Sequence, residues 1–373
     1  ESRPAPQTKA EAEAEADAEA TPRTHTAEAK MPQPDPSNGG GTSGGNSGGG
    51  TRGNDGDGGN PAGDPTLTAA SFLQEQNDMY DEDVEDHLSK FSNFVDVGVP
   101  YWPGTDTAVF WHVPKAAGTT LEDALTHCVG LVEANEIGIT EGHGEDEQLD
   151  VITVSDGGKY VNVDTTTLDG IERAGRLGFA DSGLADVAFT GYLVKIDTIF
   201  SAPAHRAKCF TMLRHPARRA VSLFYYLKHA TWENSFSATI AKMSIEEYAQ
   251  SKYCENNWMT RMLNDRWMGV LSWHHLDRAK EVLRRKCLIG LLDEFKESLD
   301  RYERYFGWRK RFVDSEHEKC QEHLERAGDN TNTHPTYEEG SEVWELLKKK
   351  NGYDIMLYEY ALELYQEQAA LIP

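Results

Sequence analysis

No stretch of the sequence approaches the roughly 18 consecutive apolar residues that a helix needs to cross a bilayer. No charged start leading into a short apolar run and a small-residue cleavage site marks a signal peptide either. The first residue is Glu1 rather than methionine, so a preceding segment is expected to have been removed or left out. Cysteine is scarce, with five at positions 128, 209, 254, 287 and 320. An odd number at irregular spacing excludes a fully paired disulfide framework and a CxxC metal site. Cys209 and Cys287 each head a short apolar run and are expected as buried thiols. Cys254 and Cys320 lie in polar surroundings and are the two expected to pair, if any do. Redox compartment stays open.

Basic residues are also short: 37 Lys and Arg stand against 62 Asp and Glu, a formal charge of −25. A chain this acidic does not hold nucleic acid or a polyanionic surface by general charge attraction. Any anion it binds is held by a local pocket. From Glu1 to Leu67 almost no aromatic or β-branched aliphatic residue occurs. "AEAEAEADAEA" is followed there by "NGGGTSGGNSGGGTRGNDGDGGN". Such a stretch buries too little apolar area to offset its chain entropy, which predicts a disordered acidic and Gly-rich tail or stem over 1–67. It carries five basic and eleven acidic residues, net −6, leaving −19 on 68–373.

Beyond Leu67 the sequence becomes periodic. Ordered sequence is expected from near Ser71, where Phe72, Met79, Val84 and Leu88 give a weak helical pattern. "TAVFWHV" (Thr107–Val113) reads as a buried strand. "DVAFTGYLV" (Asp186–Val194) and "KCFTMLR" (Lys208–Arg214) are further strand candidates. "HPARRAVSLFYYLKHA" reads as a helix with Pro216 in its first turn. "CLIGLLDEFKESLDRYERYFGW" reads as a strand leading directly into a helix, and two helical segments close the chain. Glu133 to Asp181, polar and Gly-rich around "KYVNVDTTTL", reads as an insertion or a substrate-side lobe. Strands alternating with helices predict an α/β fold: a P-loop-like three-layer domain over 68–373, its central parallel sheet flanked by helices.

Two short motifs carry chemistry. In "VFWHVPKAAGTTLEDAL" a buried strand ends at Val113 and a helix opens near Thr119. The turn between them lies at the C-terminal edge of the sheet, where open α/β folds bind ligands. First-turn N–H groups and the positive end of the helix dipole make an anion site there. Gly118 is expected to let the backbone approach the ligand closely, Thr119 and Thr120 add hydroxyls, and Lys115 adds a point charge. The lysine precedes the glycine, the reverse of G-x-x-x-x-G-K-[ST]. In "FTMLRHPARRAVSLFYYL", Arg214 ends a strand and Ser222 follows two turns into the next helix; an arginine fork plus a hydroxyl suits one phosphate. An ordinary strand–turn–helix and an N-capped helix are the alternatives. Together, two such edges predict one ligand with two separated anionic groups.

At these residues the chain resembles sulfotransferases that use 3′-phosphoadenosine 5′-phosphosulfate (PAPS). "HVPKAAGTT" is similar to their 5′-phosphosulfate loop and "LRHPARRAVSLFYY" to their 3′-phosphate segment. The likeness is greater to the branch of heparan and chondroitin O-sulfotransferases with algal and microbial relatives. It covers roughly Thr107 to Gln368, with unmatched stretches inside Glu133–Asp181 and Ser235–His275. The resemblance implies a PAPS cofactor loop of Lys115, Ala116, Ala117, Gly118, Thr119 and Thr120. It implies Arg214 and Ser222 on the 3′-phosphate, Lys115 as the catalytic residue stabilising the departing nucleotide, and no metal. It also implies a hydroxyl acceptor, a carbohydrate being expected, and a Golgi-lumenal protein whose membrane contact is an N-terminal anchor preceding this chain.

The likeness breaks at the general base. Many members carry a histidine in a "GH" pair where this chain has "TGYLV", with Tyr192 in its place. Tyr192 is the positional equivalent, while His143, Glu122 and His205 are the other candidates for the role. Each has a plainer reading: a solvated loop histidine, a first-turn helix acid, a surface histidine. His112 is expected to orient the loop or pack. Trp258, Trp267, Trp273 and the Phe224–Tyr226 group are core or stacking residues, and Asn332 and His334 lie where relatives close a strap over the nucleotide. The acidic run "EGHGEDEQLD" argues against a densely sulfated acceptor. Two other readings stand beside this one: a P-loop kinase or NTPase, and a catalytically silent nucleotide-binding scaffold on the same fold.

Overall fold

Phe110 lies at the centre of the sheet, its ring centroid 5.3 Å from that of Phe189 and 5.1 Å from that of Phe210 on the two neighbouring strands. The three strands are β1 (Asp106–Trp111), β5 (Val187–Thr190) and β6 (Arg206–Leu213). They pair in parallel, with Phe110 opposite Phe189 and Phe210. Runs this apolar form strands because both faces are covered, which is the usual state of a parallel sheet. The computed structural model describes residues 84–231, 236–311, 317, 319–320 and 334–373. The expected boundary between 67 and 68, together with Phe72, Met79 and Asn332, lies outside the described residues.

The sheet has seven strands in the order β3-β4-β2-β5-β1-β6-β7. β2 is Val132–Ala134, β3 Val151–Thr153, β4 Lys159–Val161 and β7 Cys287–Leu291. Every pairing is parallel except β3 with β4, so β3 forms an antiparallel edge. The stretch from Glu133 to Asp181 is therefore no insertion. It supplies β3, β4 and most of β2, close to half the sheet. β5 is also shorter than expected: Tyr192 N–H turns back to Thr190 Oγ1 at 3.0 Å, and a helix follows at once.

Alternating residues divide the core between two helical layers. Ala108, Phe110, Phe210 and Met212 pack with α1 (Gly118–Asp123), which continues as a π-helical segment over Ala124–Val129. Val109, Trp111 and Cys209 face the other way, toward α2 (Leu168–Arg176) and α3 (Leu193–Asp197). α4 (Pro216–His229) opens with Pro216 at its first position, and His215 Nδ1 accepts from Ala217 N–H at 3.2 Å. It packs on α5 (Ile245–Gln250). α6 (Trp258–Leu263) and α7 (Trp273–Lys286) join the layer of α2 and α3. α8 (Phe295–Tyr305) covers the α1 face, α9 (Glu342–Lys350) closes on α4, and α10 (Gly352–Glu367) completes the second layer. The result is a three-layer α/β fold with a mixed, mostly parallel sheet.

The cysteine expectations need correction. Cys209 and Cys287 face each other in the β6–β7 register with Cα atoms 4.5 Å apart, and form a disulfide. Cys320 pairs with Cys128, and Cys254 is the buried free thiol. Strand register decided the first pair, and neither partner's sequence surroundings carry that information. No helix among the described residues is long and apolar enough to cross a membrane.

Candidate functional site

Because six strands run parallel, their C-terminal ends and the segments that follow gather along one edge of the sheet. The turn from β1 to α1 lies there. Lys115 (φ 62°) and Ala117 (φ 64°) are both left-handed, a conformation that costs non-glycine residues of order 1 kcal/mol each. The surroundings hold them in it. Ala116 N–H donates to Val113 O at 3.3 Å, Arg214 Nη1 donates to Lys115 O at 3.1 Å, and Arg219 Nη1 donates to Pro114 O at 3.4 Å. The first helical bond of α1 is Leu121 N–H to Ala117 O. Ala117, as N-cap, has no side-chain oxygen to offer the earlier N–H groups of Gly118, Thr119 and Thr120.

Exposure along the loop alternates: Lys115, Ala117, Thr119 and Thr120 are half-buried, while Ala116 and Gly118 are buried. Ala116, 1% exposed, packs into the core, so only its backbone is available to a ligand. Gly118 also has a packing role. Its φ is not left-handed, and a Cβ there would stand 2.1 Å from His112 Nε2. The glycine makes room for an imidazole. Lys115 Nζ lies 3.8 Å from the centroid of the Tyr226 ring, a cation–π contact.

The second segment meets the first directly. Arg214 leaves β6, and Ser222 lies on α4 one turn before Tyr226, 8% exposed. Desolvation lowers the Arg214 pKa. Arg219 is not among the residues expected from sequence. It is fully buried, ion-paired to Glu255, and its bond to Pro114 O makes it a strut under the loop. The double arginine "ARRA" inside an otherwise apolar helix face is the available signal.

Behind the loop lies a cluster of acids on the α1 side of the sheet. His112 Nδ1 is 3.8 Å from Glu122 Oε1. Burial first and Lys115 second push the His112 pKa down to about 4, leaving a neutral imidazole. Glu122 is held well above the carboxylate range by burial, then by the charges of Glu136 and Asp123. Glu133, fully buried on β2, is raised the same way, by burial and then by Glu122, and accepts from Asn135 Nδ2 at 3.1 Å. Glu136, the residue after Asn135, is only half-buried. Glu133 and Glu136 escape a sequence reading because "VEANE" looks like an ordinary polar turn. Two glutamates three residues apart around a short strand are the only clue.

The remaining candidates separate clearly. Tyr192 caps α3 at the same edge, 7% exposed, with its ring centroid 5.6 Å from that of Trp267. His143 Nδ1 is 2.8 Å from Asp146 Oδ2, and its carbonyl accepts from Arg173, so it helps to close the segment after β2. His205 precedes β6 at the opposite edge of the sheet, 3.5 Å from Asp181. Trp258 stacks on Trp111 in the core, whereas Trp273 is 62% exposed. His334 stacks on Tyr225, whose hydroxyl is 2.9 Å from that of Tyr337. Among the described residues no group of three His, Cys, Asp or Glu is arranged to hold a metal ion.

No family model and no curated protein sequence matches the chain. Among solved structures, mouse sulfotransferase SULT7A1 complexed with PAP is similar at 13% identity and a TM-score of 0.33. The match covers 77% of this chain and 92% of that one.

Proposed function

We propose that this protein is a sulfotransferase that moves a sulfuryl group from PAPS to a hydroxyl acceptor. The observation that carries the reading is the bond from Arg214 Nη1 to Lys115 O. It joins two anion-handling segments, 99 residues apart in sequence, at one sheet edge. One segment offers a helix N-terminus with a lysine ahead of it, and the other an arginine with a helix hydroxyl. Two anion-handling segments meeting at one edge would suit a ligand with two anionic ends, such as PAPS. Lys115 with the Gly118–Thr120 N–H groups and hydroxyls would hold the 5′ end, and Arg214 with Ser222 the 3′-phosphate.

When bound, PAPS supplies the activated sulfuryl group; transfer breaks its sulfur–oxygen bond to the phosphate and forms one to the acceptor oxygen. The chain's part is positioning and charge. Lys115 Nζ turns from the Tyr226 ring to the oxygen on which negative charge develops. The acceptor proton passes to a carboxylate. Glu122 is covered, whereas its electrostatic neighbour Glu136 is half-buried, so Glu136 is the base we propose. Tyr192 then aligns the acceptor rather than deprotonating it. A carbohydrate acceptor and a place in the secretory pathway complete the proposal. The two disulfides support the second point, since such bonds persist in oxidising compartments.

A silent scaffold is the second reading, favoured by the burial of Tyr192 against Trp267 where relatives carry a base. Transfer of radiolabelled sulfur from PAPS to a panel of hydroxyl acceptors tests both. Transfer that Lys115→Ala abolishes supports the enzyme. Binding of PAP without transfer to any acceptor supports the scaffold.

A further inference from the structure

Three aromatic residues follow one another on α4, and successive helical residues point roughly 100° apart. Their rings therefore go to three different places. Phe224 is buried against Tyr248, ring centroids 4.9 Å apart. Tyr225 turns to His334, on which it stacks, and to Tyr337, whose hydroxyl is 2.9 Å from its own. Tyr226 faces the β1–α1 turn, where Lys115 Nζ stands 3.8 Å from its ring centroid. Both residues are half-buried, so the ammonium gives up part of its hydration there, and attraction to the negative ring face offsets the loss.

The backbone under this contact is fixed. Lys115 is held at φ 62° with its carbonyl taken up by Arg214 Nη1, and its neighbours Pro114 and Ala116 are buried. The four-carbon stem keeps its rotatable bonds, so the ammonium can move while the turn keeps its shape. The ring belongs to α4, whereas the anion that the Gly118–Thr120 N–H groups would hold lies at the start of α1. The ammonium is thus offered two partners on two different helices.

We infer that the Tyr226 ring is the resting seat of Lys115, left when a nucleotide binds and regained as it departs, so that Tyr226 sets how readily the product nucleotide is released. The inference rests on the sulfotransferase reading. Tyr226 acts through Lys115 and is a positioning residue. A protein whose binding-competent form is only part of the population binds with that fraction of its intrinsic affinity. A cation–π contact of this kind favours the seated form about 2- to 10-fold.

Two readouts test it. In protein made with isotope-labelled lysine, the nuclear magnetic resonance signal of the Lys115 ε protons should be shielded by the ring, and Lys115→Met identifies that signal by its loss. Saturating PAP should return it to the position of an ordinary lysine. The second readout is PAP binding. Tyr226→Leu keeps apolar bulk and removes the ring face, so PAP should bind about 2- to 10-fold more tightly and dissociate correspondingly more slowly. Tyr226→Phe, which keeps the ring, should restore the wild-type behaviour. In a Lys115→Met background Tyr226→Leu should leave PAP affinity where Lys115→Met alone puts it. An unshielded Lys115 signal, or one that stays shielded with PAP bound, overturns the inference. So does weaker PAP binding by Tyr226→Leu, the result expected of a mere packing support, or a gain that persists without Lys115. Failure of wild type to bind PAP at all would instead sink the functional reading, while the shielded signal still reports the seat.

Discussion

Arg214 Nη1 donates to the carbonyl oxygen of Lys115 at 3.1 Å, tying the end of β6 to the loop after β1. Arg219 repeats the arrangement one residue earlier in the loop, at Pro114 O. Two arginines thus take up the carbonyls of a turn that contains two left-handed residues. The loop's shape is fixed from the neighbouring strand and helix rather than by its own sequence. That is how a loop with one glycine achieves a turn for which glycine would be the usual residue.

The close approach of His112 to Gly118 makes a direct test. Gly118→Ala forces the imidazole aside, because its Cβ would meet Nε2 at 2.1 Å. Overpacking of this kind costs about 1–3 kcal/mol. In a His112→Ala background the same substitution should cost less than about 1 kcal/mol. A double-mutant cycle of urea unfolding measures the difference. Equal costs in both backgrounds would show that Gly118 is needed for another reason.

Glu136→Gln should lower kcat by about 10²–10⁴, the usual worth of a general base, and leave PAP affinity unchanged. A fall in PAP affinity equal to the fall in kcat would move Glu136 from base to structural support.

Glu133 predicts a pH effect on stability. Burial holds its folded pKa well above the ordinary value of 4.5. The folded state therefore holds the proton more tightly than the unfolded chain. Its contribution is fully present below about pH 4.5 and is lost as pH rises through the folded pKa. Glu133→Gln should flatten that decline, so its stability relative to wild type should be greater at about pH 8 than at about pH 5. Thermal unfolding at the two pH values decides; a gain that is the same at both would rule out titration of Glu133 as its source.

Thiol counting checks the cysteine assignment. Cys254 is buried, with its pKa pushed up to about 12 by burial first and Glu255 second, so its thiol should not react in the native protein. Under denaturing, non-reducing conditions one thiol per chain should appear, and after reduction all five. Three thiols before reduction would remove one of the two bridges. Replacing both Cys128 and Cys320 by serine should cost about 2–4 kcal/mol.

The legible parts of the sequence are those with enough residues to show a period. β1, β6 and β7 are apolar runs covered on both faces, and α4 announces itself by Pro216. β2, β3 and β4 have three residues each, too few for any alternation to register, and they hide in a polar stretch. Lys115 and Arg214 are readable from chemistry at strand ends. Arg219 and Glu136 are not, because the first takes its meaning from its bond to Pro114 O and the second from the charge it places near Glu122 across the fold. The packing role of Gly118 is hidden for the same reason: the group it accommodates, His112, becomes its neighbour only once the turn has formed.

The most direct test of the proposed function is calorimetric titration of 3′-phosphoadenosine 5′-phosphate, without metal, into wild type, Lys115→Ala and Arg214→Ala. Binding to wild type is predicted, weakened roughly 10- to 100-fold in each variant, the worth of a charge-assisted contact. Absence of binding, with ATP and Mg²⁺ binding in its place, would contradict the sulfotransferase reading and return the loop to the kinases and NTPases.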